Sequence, residues 1–90
     1  MPQNKPFTSQ RDFINTVFAR HNCKFNSEQL KVEVRKLRTD KTQFNADFYQ
    51  NKNGTFQKFF TSSSNCIGDI IEDIKNEFKI FKIWQLPIKD

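Results

Sequence analysis

Eleven of the ninety residues are phenylalanine, and only Tyr49 and Trp84 add to the aromatic count. A phenylalanine buries a large ring while freezing only two side-chain torsions, so a short chain can fill a dense core with few residues. Ninety residues have room for one such core, and the chain is read as a single small domain over residues 1–90. Ile, Leu and Val supply 14 further apolar positions. Together with Phe they lift the chain well above the roughly 20% at which sequences stay disordered. No run approaches the ~18 apolar residues needed to cross a bilayer, so no membrane association is expected.

The elements follow from periodicity. Ser9 caps a helix to about His21, with Asp12 three residues on and Phe13, Ile14, Val17 and Phe18 along one face. Asn22 is the expected left-handed residue at its end, and Lys24 to Gln29 reads as loop. Leu30 to Arg38 alternates Leu30, Val32 and Val34 with Lys31, Glu33 and Arg35, the pattern of a half-buried strand. Gln43 to Gln50 and Thr55 to Thr61 form two more strands around Asn53-Gly54, a strong hairpin signal. A three-residue loop, Lys52-Asn53-Gly54, gathers Phe44, Ala46, Phe48, Phe56 and Phe60 on one face with the stem of Lys58. A two-residue loop pairs Phe48 with Phe59 instead. Burial favours the first register.

Thr61 to Asn65 offers helix caps, and Ile67, Ile70, Ile71, Ile74 and Phe78 follow at helical spacing. The far side of that helix carries Asp69, Asp73 and Glu77. Residues 80–88 either prolong the helix through Phe81 or form a short strand stopped by Pro87. The order is helix, three-stranded antiparallel meander, helix, apolar tail: an α+β domain of two layers, both helices on one face of the sheet. The other face is left to Lys31, Glu33, Arg35, Asn45, Asp47 and Tyr49.

The sequence argues against catalysis. His21 and Cys23 are two residues apart and point in different directions on any regular element, so they make a poor nucleophile–base pair. His21 fits better as a cap on the carbonyls at the helix end. One His and two Cys supply three zinc ligands at best. Glu77-Phe78-Lys79 has a nuclease-like spacing but falls at a helix end, and Gly54 and Gly68 alone cannot build a phosphate loop. No enzyme activity, metal or cofactor is expected. Asn53-Gly54-Thr55 matches a glycosylation sequon, which the hairpin turn explains better. Cys23 and Cys66 follow no apolar leader, so reduced thiols and an intracellular, cytoplasmic setting are expected. The mitochondrial matrix is the alternative, since Arg11 and Arg20 give residues 9–21 an import-like cast.

Charge points to a partner. Residues 1–58 hold 11 Lys/Arg against 5 Asp/Glu, whereas residues 59–90 hold 4 against 5. The densest basic run is Lys31, Arg35, Lys36, Arg38 and Lys41, which Lys52 and Lys58 extend. Such an excess attracts phosphate or an acidic protein surface. The first expectation is a binding module for RNA or a ribonucleoprotein through these seven residues. The alternative is a protein–protein adaptor or inhibitor using the tail around Trp84 and Leu86, or the Asp69, Asp73 and Glu77 stripe. Self-association through an uncovered sheet face or edge is a third expectation.

Two family likenesses bear on this. The first helix, the run Phe44-x-Ala46-x-Phe48 and the Ser62 to Ser64 approach to the second helix resemble a double-stranded-RNA-binding domain over roughly Thr8 to Phe78. That resemblance implies phosphate contacts at the start of the second helix. Asn65 to Asp73 carries three acids and no Lys or Arg, which moves the expected RNA contact to the basic first strand. Pro6-Phe7 ahead of Arg11-Asp12-Phe13-Ile14, with Ala46-Asp47-Phe48 and Asn53-Gly54, is similar to thioredoxin-like subunits of mitochondrial ribosomes and respiratory complex I. That resemblance implies a subunit of a large assembly.

Overall fold

The computed structural model describes Phe7, residues 9–37 and residues 42–81. The chain runs α1 (Gln10–Ala19), β1 (Cys23–Asn26), β2 (Leu30–Lys36), β3 (Phe44–Lys52), β4 (Thr55–Ser64) and α2 (Ile67–Phe81). The strands form one antiparallel sheet in the order β1-β2-β3-β4. Both helices lie on one face, α1 against β1 and α2 against β3 and β4. The α+β, two-layer class is as expected. Among the described residues no helix is long and apolar enough to cross a membrane.

The sheet has four strands where the periodicity predicts three. Cys23 to Asn26, which overlaps the Lys24 to Gln29 segment expected as loop, pairs with β2 in the register Cys23↔Val34 to Asn26↔Lys31. A strand of four residues offers only two inward positions, here Cys23 and Phe25, too few to register as alternation. Ser27 closes the β1–β2 hairpin: its backbone N–H donates to Leu30 O at 2.9 Å, and its Oγ accepts from Gln29 and Leu30 N–H.

Helix α1 begins as expected, with Ser9 Oγ accepting from Asp12 N–H at 3.4 Å. It ends at Ala19 rather than His21. His21 (φ 69°) takes the left-handed position assigned to Asn22, and its conformation, not its side chain, turns the chain out of the helix. Asn22 Oδ1 instead accepts from Lys36 N–H. Phe13, Ile14 and Val17 are buried, but Phe18 is 66% exposed. Four residues at 100° steps spread over 140°, wider than the stripe that one neighbouring layer covers.

The β3–β4 loop has two residues, not three. Lys52 pairs with Thr55, and Asn53 (φ 55°) and Gly54 (φ 86°) both take the positive φ of a type I′ turn. Two-residue pairing then meets a bulge: Tyr49 faces Lys58, and Phe48 faces Phe60, so Phe59 is the extra residue. Phe56 and Lys58 therefore lie on the face away from the helices, against expectation. Phe44, Ala46, Phe48 and Phe60 keep the inward face. Phe48 touches both bulge rings, at 5.4 Å to Phe60 and 6.4 Å to Phe59 between centroids.

The interior centres on three rings from three elements. Phe13 of α1, Phe25 of β1 and Phe78 of α2 stand 4.9 to 6.0 Å apart, all at 1% exposure or less. Leu30, Val32, Val34, Ala46, Phe48, Ile70 and Ile74 surround them. In α2, Ile70, Ile74 and Phe78 are buried and Ile67, Ile71 and Phe81 flank them. Strand β4 runs through Ser64, so Thr61 to Ser64 are strand residues rather than loose caps. Ser64 Oγ still serves the helix start by accepting from Cys66 N–H at 3.0 Å.

The two glycines give opposite predictions. A Cβ on Gly54 meets nothing within 4 Å, yet its φ of +86° strains any L side chain, so Gly54→Ala destabilises by about 1 kcal/mol. Gly68, in the first turn of α2, would place its Cβ 3.6 Å from Cys66 Sγ in ordinary contact. Gly68→Ala therefore stabilises by about 0.5 kcal/mol through helix propensity. Urea unfolding of both variants gives midpoints on opposite sides of the parent.

Candidate nucleic-acid interface

The face of the sheet away from the helices is ordered by its register into cross-strand rows. One row runs Asn26, Lys31, Tyr49, Lys58; the next Lys24, Glu33, Asp47, Thr61; the third Arg35, Asn45, Ser63. Beside the first row, Phe56 pairs with Asn51 near the β3–β4 turn. Four cations thus frame two carboxylates and two aromatic rings.

The rings and cations are interleaved. Lys31 Nζ lies 4.7 Å from the Tyr49 centroid and 5.6 Å from that of Phe56. Its ammonium is also 3.7 Å from Glu33, which Lys24 approaches to 3.4 Å. Burial, and next the charges of Glu33 and Asp47, push the Tyr49 hydroxyl above its ordinary range, with Arg35 opposing. It stays a neutral hydroxyl at physiological pH.

Asp47 is the unexpected element. It sits on the open face but is only 4% exposed. Asn45 Nδ2 donates to Oδ1 at 3.1 Å, Thr61 Oγ1 donates to the same oxygen at 3.0 Å, and the Arg35 guanidinium stands 3.6 Å from Oδ2. The Arg35 side chain remains 61% exposed. A buried carboxylate requires such partners, because leaving it unpaired is expensive. Arg35 is consequently tethered at one side and open to solvent at the other.

The expected RNA-contacting residues divide. Lys31, Arg35 and Lys58 share the open face. Lys36 falls on the opposite parity, its Nζ 5.7 Å from the Phe44 centroid. Lys52 stands at the β3–β4 turn. Arg38 and Lys41 lie outside the described residues, as do Trp84 and Leu86 of the adaptor alternative. Periodicity does not point to Lys24 or Phe56: Lys24 falls in the segment expected as loop, and the two-residue turn, in place of the expected three-residue loop, puts Phe56 on the open face. Tyr49 was placed on this face without a role, and its alternation with Lys31 across the strands was the available signal.

The acidic stripe does not point to the far side. Asp69 accepts from Ser64 Oγ and Asp73 from Ser62 Oγ, so both are tied to β4. Glu77 is half-buried, and burial, followed by the charge of Asp73, raises its carboxyl above the ordinary range. His21 packs on Phe44 at 4.5 Å, and burial and then Lys36 lower its pKa. Cys23 is buried, which pushes its thiol up to about 12, whereas Cys66 is exposed. Among the described residues, no group of three His, Cys, Asp or Glu side chains is placed to hold a metal ion. Comparison with known protein families, curated proteins and solved structures finds no match to this chain.

Glu77 generates a pH prediction. Its folded-state pKa is raised, so the folded protein holds a proton that the unfolded chain releases from about its ordinary 4.5 upward. Stability from this group is therefore lost as pH rises through that range. Glu77→Gln raises the melting temperature at pH 7, and the gain shrinks toward zero at pH 4, as followed by circular dichroism.

Proposed function

We propose that this domain is a non-enzymatic module that binds single-stranded RNA on its open sheet face, either free or within a ribonucleoprotein. The observation that carries this reading is the row of Lys31, Tyr49 and Lys58 beside Phe56, with Lys24 and Arg35 on the adjoining rows. Aromatic rings on an open four-stranded sheet, bordered by cations, are a recurring way to hold an unpaired strand. Rings stack on bases and the cations meet the phosphates.

The energetics favour exchange of the internal contact for a base. A cation–π contact at an exposed site is worth about 0.5–1 kcal/mol, whereas a stacked base contributes about 1–3 kcal/mol. Lys31 can leave the Tyr49 ring for a phosphate while the base takes its place. A duplex is less well served, since the start of α2 presents Asp69, Glu72 and Asp73 and no cation.

A protein partner is the second reading. It is favoured by Phe59 and Phe60, 42% and 40% exposed on the edge strand β4. The acidic stripe adds little to it, since β4 hydroxyls already hold Asp69 and Asp73.

Fluorescence anisotropy with a labelled ten-nucleotide single strand tests the first reading. Raising salt from about 50 to 200 mM weakens binding about twentyfold, as expected for some three phosphate contacts on a single strand. Tyr49→Ala weakens it roughly tenfold with the fold retained by circular dichroism. Asp47→Asn strengthens it, because removing a negative charge from the face outweighs the loss of the anchor that holds Arg35. Affinity indifferent to salt and to Tyr49 overturns the reading and leaves the protein partner.

A further inference from the structure

We infer that the cleft at the turn end of the open sheet face is a base-recognition site selective for guanine in an unpaired strand. This rests on the single-strand reading of the sheet face and adds to it a source of sequence preference.

The cleft lies between the β1–β2 turn, with Glu28 and Gln29, and the β3–β4 turn, with Asn53 and Gly54, and Phe56 forms part of its wall. Asn51 holds its two sides together. Its backbone N–H donates to Gln29 O at 3.0 Å, its Nδ2 donates to Glu28 O at 2.9 Å, and its Oδ1 accepts from Gly54 N–H at 2.9 Å. The space is therefore built in advance of any ligand, which lowers the ordering needed on binding.

What points to a ligand is Asn26. Its Oδ1 is buried and accepts no hydrogen bond, and Asn26 is one of the residues that line this cleft. Buried acceptors are paired in nearly all folded proteins, and one left alone is destabilising until a donor reaches it. Rotation about the broad terminal torsion of the amide brings that oxygen to a ligand without moving the backbone. Glu28, an exposed residue, also lines this space, and its carboxylate, a second acceptor, is in no ion pair among the described residues.

Two acceptors beside an aromatic ring select for adjacent donors on a planar ligand. Guanine presents two neighbouring donors, N1–H and the N2 amino group, on its Watson–Crick edge. Uracil presents one N–H between two carbonyls, and adenine and cytosine each present an amino group next to an acceptor nitrogen. Guanine alone matches Asn26 Oδ1 and Glu28 together. Its ring lies along Phe56, and Lys31, 5.6 Å from that ring, reaches the adjoining phosphate.

The test uses the full chain with a labelled eight-nucleotide oligouridylate, the same strand with one central guanine, adenine or cytosine, and the free nucleotides GMP and UMP. The guanine strand binds roughly tenfold more tightly than oligouridylate. Asn26→Leu and Glu28→Gln each reduce that preference to within about twofold, the first with the oligouridylate affinity unchanged and the second with a small gain for oligouridylate, since a negative charge is removed. Asn26→Leu does not lower the melting temperature, because no hydrogen bond is lost. Tyr49→Ala weakens both strands equally and preserves their ratio. Equal binding of the two strands, an equal gain from a central adenine or cytosine, or a preference that survives both cleft variants overturns the inference while the sheet-face reading stands. If neither strand binds, the sheet-face reading fails and GMP decides the cleft separately. Amide resonance shifts confined to Asn26, Glu28 and Phe56 with millimolar GMP, and absent with UMP, support it; no such shifts overturn it.

Discussion

The contact among Phe13, Phe25 and Phe78 is the constraint on which the remaining architecture depends. Each ring comes from a different element, and each pair is tilted or edge-on at 4.9 to 6.0 Å. Tilted arrangements place the positive edge of one ring against the negative face of another, adding to the area they bury. The cluster joins α1 to α2 and both to the first strand. Because the helices are thereby committed to one side of the sheet, the other side must meet water or a ligand.

The register of β3 and β4 then decides what that side displays. An Asn-Gly turn with two positive φ angles matches the right-handed twist of its strands, which favours the two-residue loop. Carried through without interruption, that loop would leave Phe60 facing outward. The bulge at Phe59 restores the inward position of Phe60 and keeps Phe56 and Lys58 outward. One extra residue satisfies local turn chemistry near the loop and core packing farther along. It also builds the aromatic part of the candidate site.

The open face is cationic but internally organised. Glu33 draws in Lys24 and Lys31, and Asp47 holds Arg35 while Asn45 and Thr61 complete its hydrogen bonding. These carboxylates reduce the net charge of the face. They also fix where the cations stand, which matters more for ordered recognition than for loose attraction. Long side chains held at a known place have less entropy to lose when a phosphate arrives.

Much of this was legible in the residues themselves. Ser9 and the spacing of Phe13, Ile14 and Val17 specify α1, Ile70, Ile74 and Phe78 specify α2, and Val32 against Lys31 and Glu33 specifies an amphipathic strand. Each signal is a short-range periodicity that backbone geometry imposes on neighbouring side chains. The outward placement of Lys31, Arg35 and Tyr49 follows from the same alternation. Tertiary structure decided the rest. Cys23 to Asn26 became a strand because β2 offered an edge and Phe25 a place between two helices, neither visible in four residues. Phe56 faces outward because the turn closes in two residues, Phe60 faces inward because a bulge then interrupts the period of two, and Asp47 became buried because Arg35, Asn45 and Thr61 converge on it from three strands. Local pattern sets which way a side chain leaves the backbone. What it meets there depends on segments distant in the chain, and no periodicity records them.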